Sequence, residues 1–101
     1  MTFTDGPNTA GLPARMGVLP PLDGSGDAVT VRRLRDAGAI PLGVTNISEL
    51  AMWMESDNKV YGRTANPYDP TRIVGGSSGG EGAAVCAGFA PFGLGSDIGG
   101  S

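Results

Sequence analysis

The residues best equipped for chemistry are serines set in glycine. Ser77 and Ser78 stand in GGSSGGEG, residues 75–82, and Ser101 closes GLGSDIGGS, residues 93–101, 24 positions after Ser77. The 101 residues contain no His, a single Lys at position 59 and a single Cys at position 86. A serine nucleophile here therefore has no histidine partner within the chain. The remaining route is a Lys desolvated enough to be neutral near pH ~7, taking the proton directly or through a bridging hydroxyl. That chemistry needs one Ser on a tight glycine turn, a second Ser within hydrogen-bond reach, and a buried Lys. It also needs backbone N–H groups aimed at the developing oxyanion. Glycine turns supply those, because a residue without Cβ lets the chain approach the substrate closely.

Other uses of the same residues fail on specific positions. A phosphate loop would end in Gly-Lys-Ser/Thr, and Glu81 stands where a cation would help. Gly75-x-Ser77-x-Gly79 fits the nucleophile elbow of α/β-hydrolases, a class that requires a later His. GLGSDIGGS misses the dinucleotide pattern because Ile98 takes the third glycine position, and DGSGDA, residues 23–28, misses a calcium loop because Ala28 replaces the turn glycine. Asn46-Ile47-Ser48 is a formal glycosylation sequon with no secretory signal before it. A lone Cys and no His leave no zinc set and no internal disulfide, so no metal or cofactor is expected.

The elements that must position the serines follow from composition and pattern. Formal net charge is −3 and 40% of residues are hydrophobic, which is enough for a modest core and argues against nucleic acid or a polybasic membrane contact. No stretch has the length of a transmembrane span or the layout of a signal peptide, so the default compartment is the cytoplasm. Residues 1–24, rich in Pro and Gly, read as loop. Residues 25–54 read as helix-strand-helix. Ser25 or Asp27 caps a helix with Ala28, Val31, Leu34 and Ala37 on one face; Arg32, Arg33, Arg35 and Asp36 face outward, and Gly38 stops it. AIPLGVTN, residues 39–46, follows as a buried strand, and SELAMWM starts a second helix with Ser48 as cap. Residues 55–73 are a polar surface excursion holding Lys59 as a solvated charge. Residues 74–101 then supply a helix near Gly80–Gly88 and a strand in FGLGSDI. Met52, Trp53 and Met54 are expected in the core more often than lining a channel, and Cys86 is expected buried in its helix. The expected fold class is α/β, one domain at most. Two strands are too few to close a sheet, so the chain reads as part of a larger one and is not expected to unfold cooperatively alone.

Eighteen glycines exceed the usual share of about 7%, and many cluster in residues 75–101 around the apolar run AAVCAGFAPF. A flexible linker would not enclose such a run. The segment from Val74 through Ser101 resembles the glycine- and serine-rich block of the amidase signature family of amide hydrolases. VRRLRDAGAIPLGVTNISELAMW, residues 31–53, is similar to the helix-strand-helix that precedes it there, and NKVYGRTANPYDPTRIVGGSSGGEG is most similar to fatty-acid amide hydrolase-like members.

The resemblance implies a mixed central sheet covered by helices, incomplete in this chain. It implies Ser101 as nucleophile and Ser77 as the bridging serine after a cis peptide bond. Ile98, Gly99 and Gly100, with Ser101, match the backbone donors of the oxyanion hole, while Ser78 and Asp97 match supporting positions. Ala51, Met52 and Trp53 fall where members line the acyl site. The implied reaction is hydrolysis of small-molecule carboxylic amides, including fatty-acid amides, through a Ser-Ser-Lys triad. The Lys belongs to a G-x-P-x-x-x-K segment that precedes Asn8–Gly11 in the family and is not in this sequence. The family also admits a homo-oligomer in its full-length members. The expectation is a fragment inactive in isolation, with a carboxylate at Ser101 opposing the oxyanion. The competing reading is a non-catalytic truncated product or an interaction segment docking on another chain. Membership of a tRNA-dependent amidotransferase is disfavoured by Glu81, where the corresponding subunits carry a small residue.

Overall fold

The computed structural model describes residues 27–101, and they divide into a unit ending at Val44 and a second unit spanning Thr45–Ser101. The loop expected over residues 1–24 and the cap expected at Ser25 lie outside the described residues.

In the first unit, helix α1 runs Val29–Asp36. Val31 is buried, Leu34 half-buried, and Arg32, Arg33 and Arg35 are exposed, as the apolar spacing dictates. Asp27 does not cap it: the N-cap is Ala28, which makes no side-chain cap bond, and Asp27 instead pairs with Arg35 at 2.9 Å. Arg33 and Arg35 sit in the last turn, where positive charge complements the helix dipole. Gly38, the predicted stop, takes φ 93° just beyond it, and the Gly38 and Ala39 amides return to the carbonyls of Arg35 and Leu34. The apolar run that follows is not a strand. Ile40, Leu42 and Val44 are exposed, because a buried strand is stable only between hydrogen-bonded neighbours and none ladders with this run among the described residues.

The second unit contains one sheet among its described residues, and it lies in the polar excursion. Strands β1 (Asp57–Asn58) and β2 (Gly62–Arg63) pair antiparallel with Asp57 opposite Arg63 and Asn58 opposite Gly62. The Asn58 carboxamide oxygen accepts the amides of Val60 and Tyr61, closing the turn in the manner of an Asx residue. Beyond the hairpin, the Arg63 guanidinium reaches the Glu55 carboxylate and the carbonyls of Pro70 and Arg72. The Asn66 side chain donates to the Ile73 carbonyl. The excursion is thus a closed loop rather than an open one.

Helix α2 runs Gly79–Cys86, close to its predicted span. The predicted second helix is reduced to a single 3-10 turn at Glu49–Ala51, where Leu50 and Ala51 take φ of 54° and 57°, a region few non-glycine residues occupy. FGLGSDI carries no strand. Two burial expectations are also corrected. Met52, Trp53 and Met54 are exposed rather than core, and Cys86 is exposed rather than buried. The cause is common to both: the buried residues of this unit are Ser48, Ser56, Asn58, Ser77, Gly79 and Gly80, so its interior is backbone and polar side chain, and apolar side chains stand outside it. No buried side-chain nitrogen or oxygen among the described residues lacks a hydrogen-bond partner. A polar interior is stable on that condition.

Candidate active site

The site starts from three glycines that permit backbone to lie on backbone. A Cβ on Gly76 would stand 2.7 Å from the Trp53 carbonyl oxygen and 2.8 Å from the Glu55 nitrogen. One on Gly79 would strike the Ser56 hydroxyl and Val74, and one on Gly80 the main chain of Asn46. The turn 75–80 is therefore pressed against residues 46–56. Its seams are the bonds from the Ser48 amide to the Ser77 carbonyl (3.1 Å), from the Ser56 amide to the Gly75 carbonyl (3.1 Å) and from the Gly80 amide to the Asn46 carbonyl (3.1 Å).

Within this turn the Gly76–Ser77 peptide bond is cis. Ser77 is buried, and its hydroxyl lies 3.2 Å from that of Ser101, which is half-buried. Two hydroxyls far apart in sequence are thus within proton-transfer reach.

The approach to Ser101 is fixed by Asp97, whose Oδ1 accepts the amides of Gly100 (2.6 Å) and Ser101 (3.1 Å). Gly100 takes φ 97°, the left-handed conformation this tight turn requires. Two of the four amides expected to face an oxyanion are therefore bonded to a carboxylate. The amides of Ile98 and Gly99 make no hydrogen bond among the described residues, and both residues are exposed. Ser78 ties the other end of this segment, accepting the Ser96 amide at 3.0 Å.

Of the remaining expected residues, Ala51 is half-buried while Met52 and Trp53 are exposed; the Trp53 amide donates to the Ser48 hydroxyl at 3.2 Å. Its carbonyl lies against Gly76, so this segment borders the serine turn through its main chain. Glu81 accepts the Thr45 hydroxyl at 2.8 Å, and its carboxylate fills the space a Cβ on Gly93 would need. Lys59 is exposed, its amide donating to Glu49. An open apolar groove of about 470 Å³ is lined by Ala83, Ala84, Ala87, Phe89, Ala65 and Pro67 among others, but by neither Ser77 nor Ser101.

Sequence reasoning missed the polar hub beneath the turn. Ser56 is fully buried; its hydroxyl lies 3.0 Å from the Ser77 carbonyl and 3.1 Å from that of Gly75, and it accepts the Gly79 amide at 2.6 Å. Asn58 donates to the Asn46 side chain and to the Ile47 carbonyl, and Asn46 in turn donates to the Gly62 carbonyl and the Thr64 hydroxyl. A run such as ESDN is read as surface turn, and nothing in its composition signals a buried network.

The amidase family model matches residues 2–101. The chain belongs to the amidase family. It is 60% identical over 95 residues to fatty-acid amide hydrolase 2-B of Danio rerio and 56% identical over 95 residues to fatty-acid amide hydrolase 2 of Homo sapiens, covering 94% of this chain in each case. It is also 50% identical over 95 residues, again 94% of this chain, to a glutamyl-tRNA(Gln) amidotransferase subunit of Methanosarcina acetivorans. This amidase chain is thus fatty-acid amide hydrolase-like in sequence. It spans 17% of the length of the two hydrolases and 19% of that of the amidotransferase protein. Family membership carries an α/β fold, of which the described residues contain two helices and one two-stranded sheet.

Proposed function

We propose that this chain carries the serine pair of an amidase that hydrolyses carboxylic amides, fatty-acid amides among them. The observation that carries the reading is the 3.2 Å approach of the Ser77 and Ser101 hydroxyls in a chain of the amidase family. In this mechanism Ser101 Oγ attacks the amide carbonyl carbon, its proton moves to Ser77 Oγ, and the Ser77 proton moves to a neutral lysine. The tetrahedral oxyanion is received by the amides at Ile98 and Gly99, with Gly100 and Ser101 held in register by Asp97. The C–N bond then breaks, the amine leaves with the proton, and water releases the acid from Ser101 by the reverse relay.

The lysine is drawn from outside these 101 residues in this reading, since Lys59 is exposed in the polar excursion at the β1–β2 turn. Residues 1–101 alone are accordingly expected to be inactive. Ala51, Met52 and Trp53 border the acyl end of the substrate in this reading, and Ser78 holds the segment that leads to Ser101. The test is hydrolysis of long-chain and short-chain primary amides by the full-length protein and by its Ser101→Ala and Ser77→Ala variants. Loss of turnover in both variants supports the reading; unchanged turnover in Ser101→Ala refutes it. A second reading, an interaction segment that docks on another chain, is favoured by the exposed Met52, Trp53, Met54, Phe89 and Phe92. Hydrolysis that depends on Ser101 would decide against it.

A further inference from the structure

We infer that Ser56 is a positioning residue for the reacting serine pair, its hydroxyl holding the Ser77 turn in the geometry that presents Ser77 Oγ to Ser101. The inference rests on the reading of Ser77 and Ser101 as the reacting pair.

Ser56 grips the turn on both sides of Ser77. Its hydroxyl lies 3.1 Å from the Gly75 carbonyl and 3.0 Å from the Ser77 carbonyl, and it accepts the Gly79 amide at 2.6 Å. Its own amide donates to the Gly75 carbonyl at 3.1 Å, and its carbonyl receives the Thr64 amide at 2.9 Å, tying the grip to the residue that follows β2. No water reaches the side chain, which is 0% exposed. Removing the hydroxyl would leave the buried Gly79 N–H without its partner and take one of two hydrogen bonds from each of the Gly75 and Ser77 carbonyls, which keep the Ser56 and Ser48 amides. The Ser77 carbonyl would then be held by the Ser48 amide alone, one bond in place of two and a weaker brake on rotation of that peptide unit. The Ser77 side chain is placed by the main chain on either side of it, so that rotation is read directly in the 3.2 Å gap to Ser101. The fit around the hydroxyl is tight as well, for Gly79 has no room for a Cβ beside it.

The test measures the labelling of Ser101 by a fluorophosphonate in the full-length protein. Ser101 Oγ forms a P–O bond, the P–F bond breaks, fluoride departs, and the serine proton leaves through Ser77. Second-order rates are followed by intact mass for the wild type, Ser56→Ala, Ser56→Cys, Ser77→Ala, Ser101→Ala and the Ser56→Ala/Ser77→Ala double variant. Ser56→Ala is expected to lower the rate at least about tenfold, and Ser56→Cys, which keeps the shape with a weaker donor, to lower it as well. A residue that acts through Ser77 adds nothing once Ser77 is gone, so the double variant should label at the rate of Ser77→Ala; a merely destabilising change would lower it further. Wild-type rates in folded Ser56→Ala or Ser56→Cys overturn the inference, as does an additive double variant, and both leave the role of Ser101 standing. If Ser56→Ala does not fold, the Ser56→Cys rate decides. A wild type that does not label, or a Ser101→Ala that labels equally, sinks the reading of the serine pair and the inference with it.

Discussion

Two glycine-to-alanine changes in α2 should move its stability in opposite directions. At Gly82 a Cβ meets nothing within 4 Å, and the residue is exposed inside the helix. Gly82→Ala should stabilise α2 by about 0.8–1 kcal/mol, the propensity difference between the two residues. At Gly79, buried in the first turn, the same methyl collides with the Ser56 hydroxyl and with Val74. Overpacking costs about 1–3 kcal/mol and spoiling the Gly79-to-Ser56 hydrogen bond about 1 more, against a propensity gain of about 1, so Gly79→Ala should destabilise by about 1–3 kcal/mol. The two variants differ by about 2–4 kcal/mol, a ratio on the order of 30-fold or more in local opening. Hydrogen exchange read by mass spectrometry over residues 79–89 measures that opening without needing cooperative unfolding. Exchange slower than wild type in Gly82→Ala and faster in Gly79→Ala is expected. Equal exchange in the two variants, or a Gly79→Ala helix more protected than wild type, would refute the claim that glycine is present at 79 for close approach.

Three further outcomes follow from the polar network and the exposed loops. Asn58→Ala should destabilise the second unit by about 2 kcal/mol or more, because Asn58 is buried and four groups lose their partner; urea-dependent exchange of the Val60 and Tyr61 amides checks it. Asp69 is held below the ordinary carboxylate range by hydrogen bonds from the Thr71 hydroxyl and amide, with Arg72 adding to them. A depressed folded value means order in the 66–72 loop is fully present above the unfolded value of about 4 and is lost as pH falls toward the folded one; exchange of the Thr71 amide across that range, absent in Asp69→Ala, would show it. The Tyr68 hydroxyl is raised above its ordinary value chiefly by the neighbouring Cys86 sulfur. In a Tyr61→Phe background, phenolate absorbance should therefore rise at lower pH in Cys86→Ala than in the parent.

How much of this was legible in sequence depended on what kind of force fixed each part. Helices α1 and α2 were readable because their determinants are local: apolar spacing around Val31, a glycine at 38 free to take positive φ, and the small-residue run after Gly80. The runs at 39–46 and FGLGSDI have strand composition, but a strand is a relation between segments and neither run ladders with another described one. The serine pair came from resemblance to a family and not from spacing, since 24 residues of separation imply no contact by themselves. Ser56 was invisible for the opposite reason: its surroundings, MESDNK, have the composition of a surface turn, and its burial depends on the arrival of Gly79, 23 residues later.

The glycine block also shows why composition misleads about freedom. GGSSGG has the makeup of a flexible linker, yet Gly76, Gly79 and Gly80 are the points at which one stretch of main chain can lie directly on another. At these positions the absent Cβ lets the main chain of residues 75–80 come within hydrogen-bond range of residues 46–56, and those bonds make up the buried part of the described unit. An interior of that kind places hydroxyls by main-chain geometry rather than by side-chain packing. Such placement is stiffer, because a peptide plane has no rotamers to exchange. A relay between two serine hydroxyls tolerates little variation in the distance between them, so a backbone-built site suits it, and a glycine-rich sequence is the form that such a site takes.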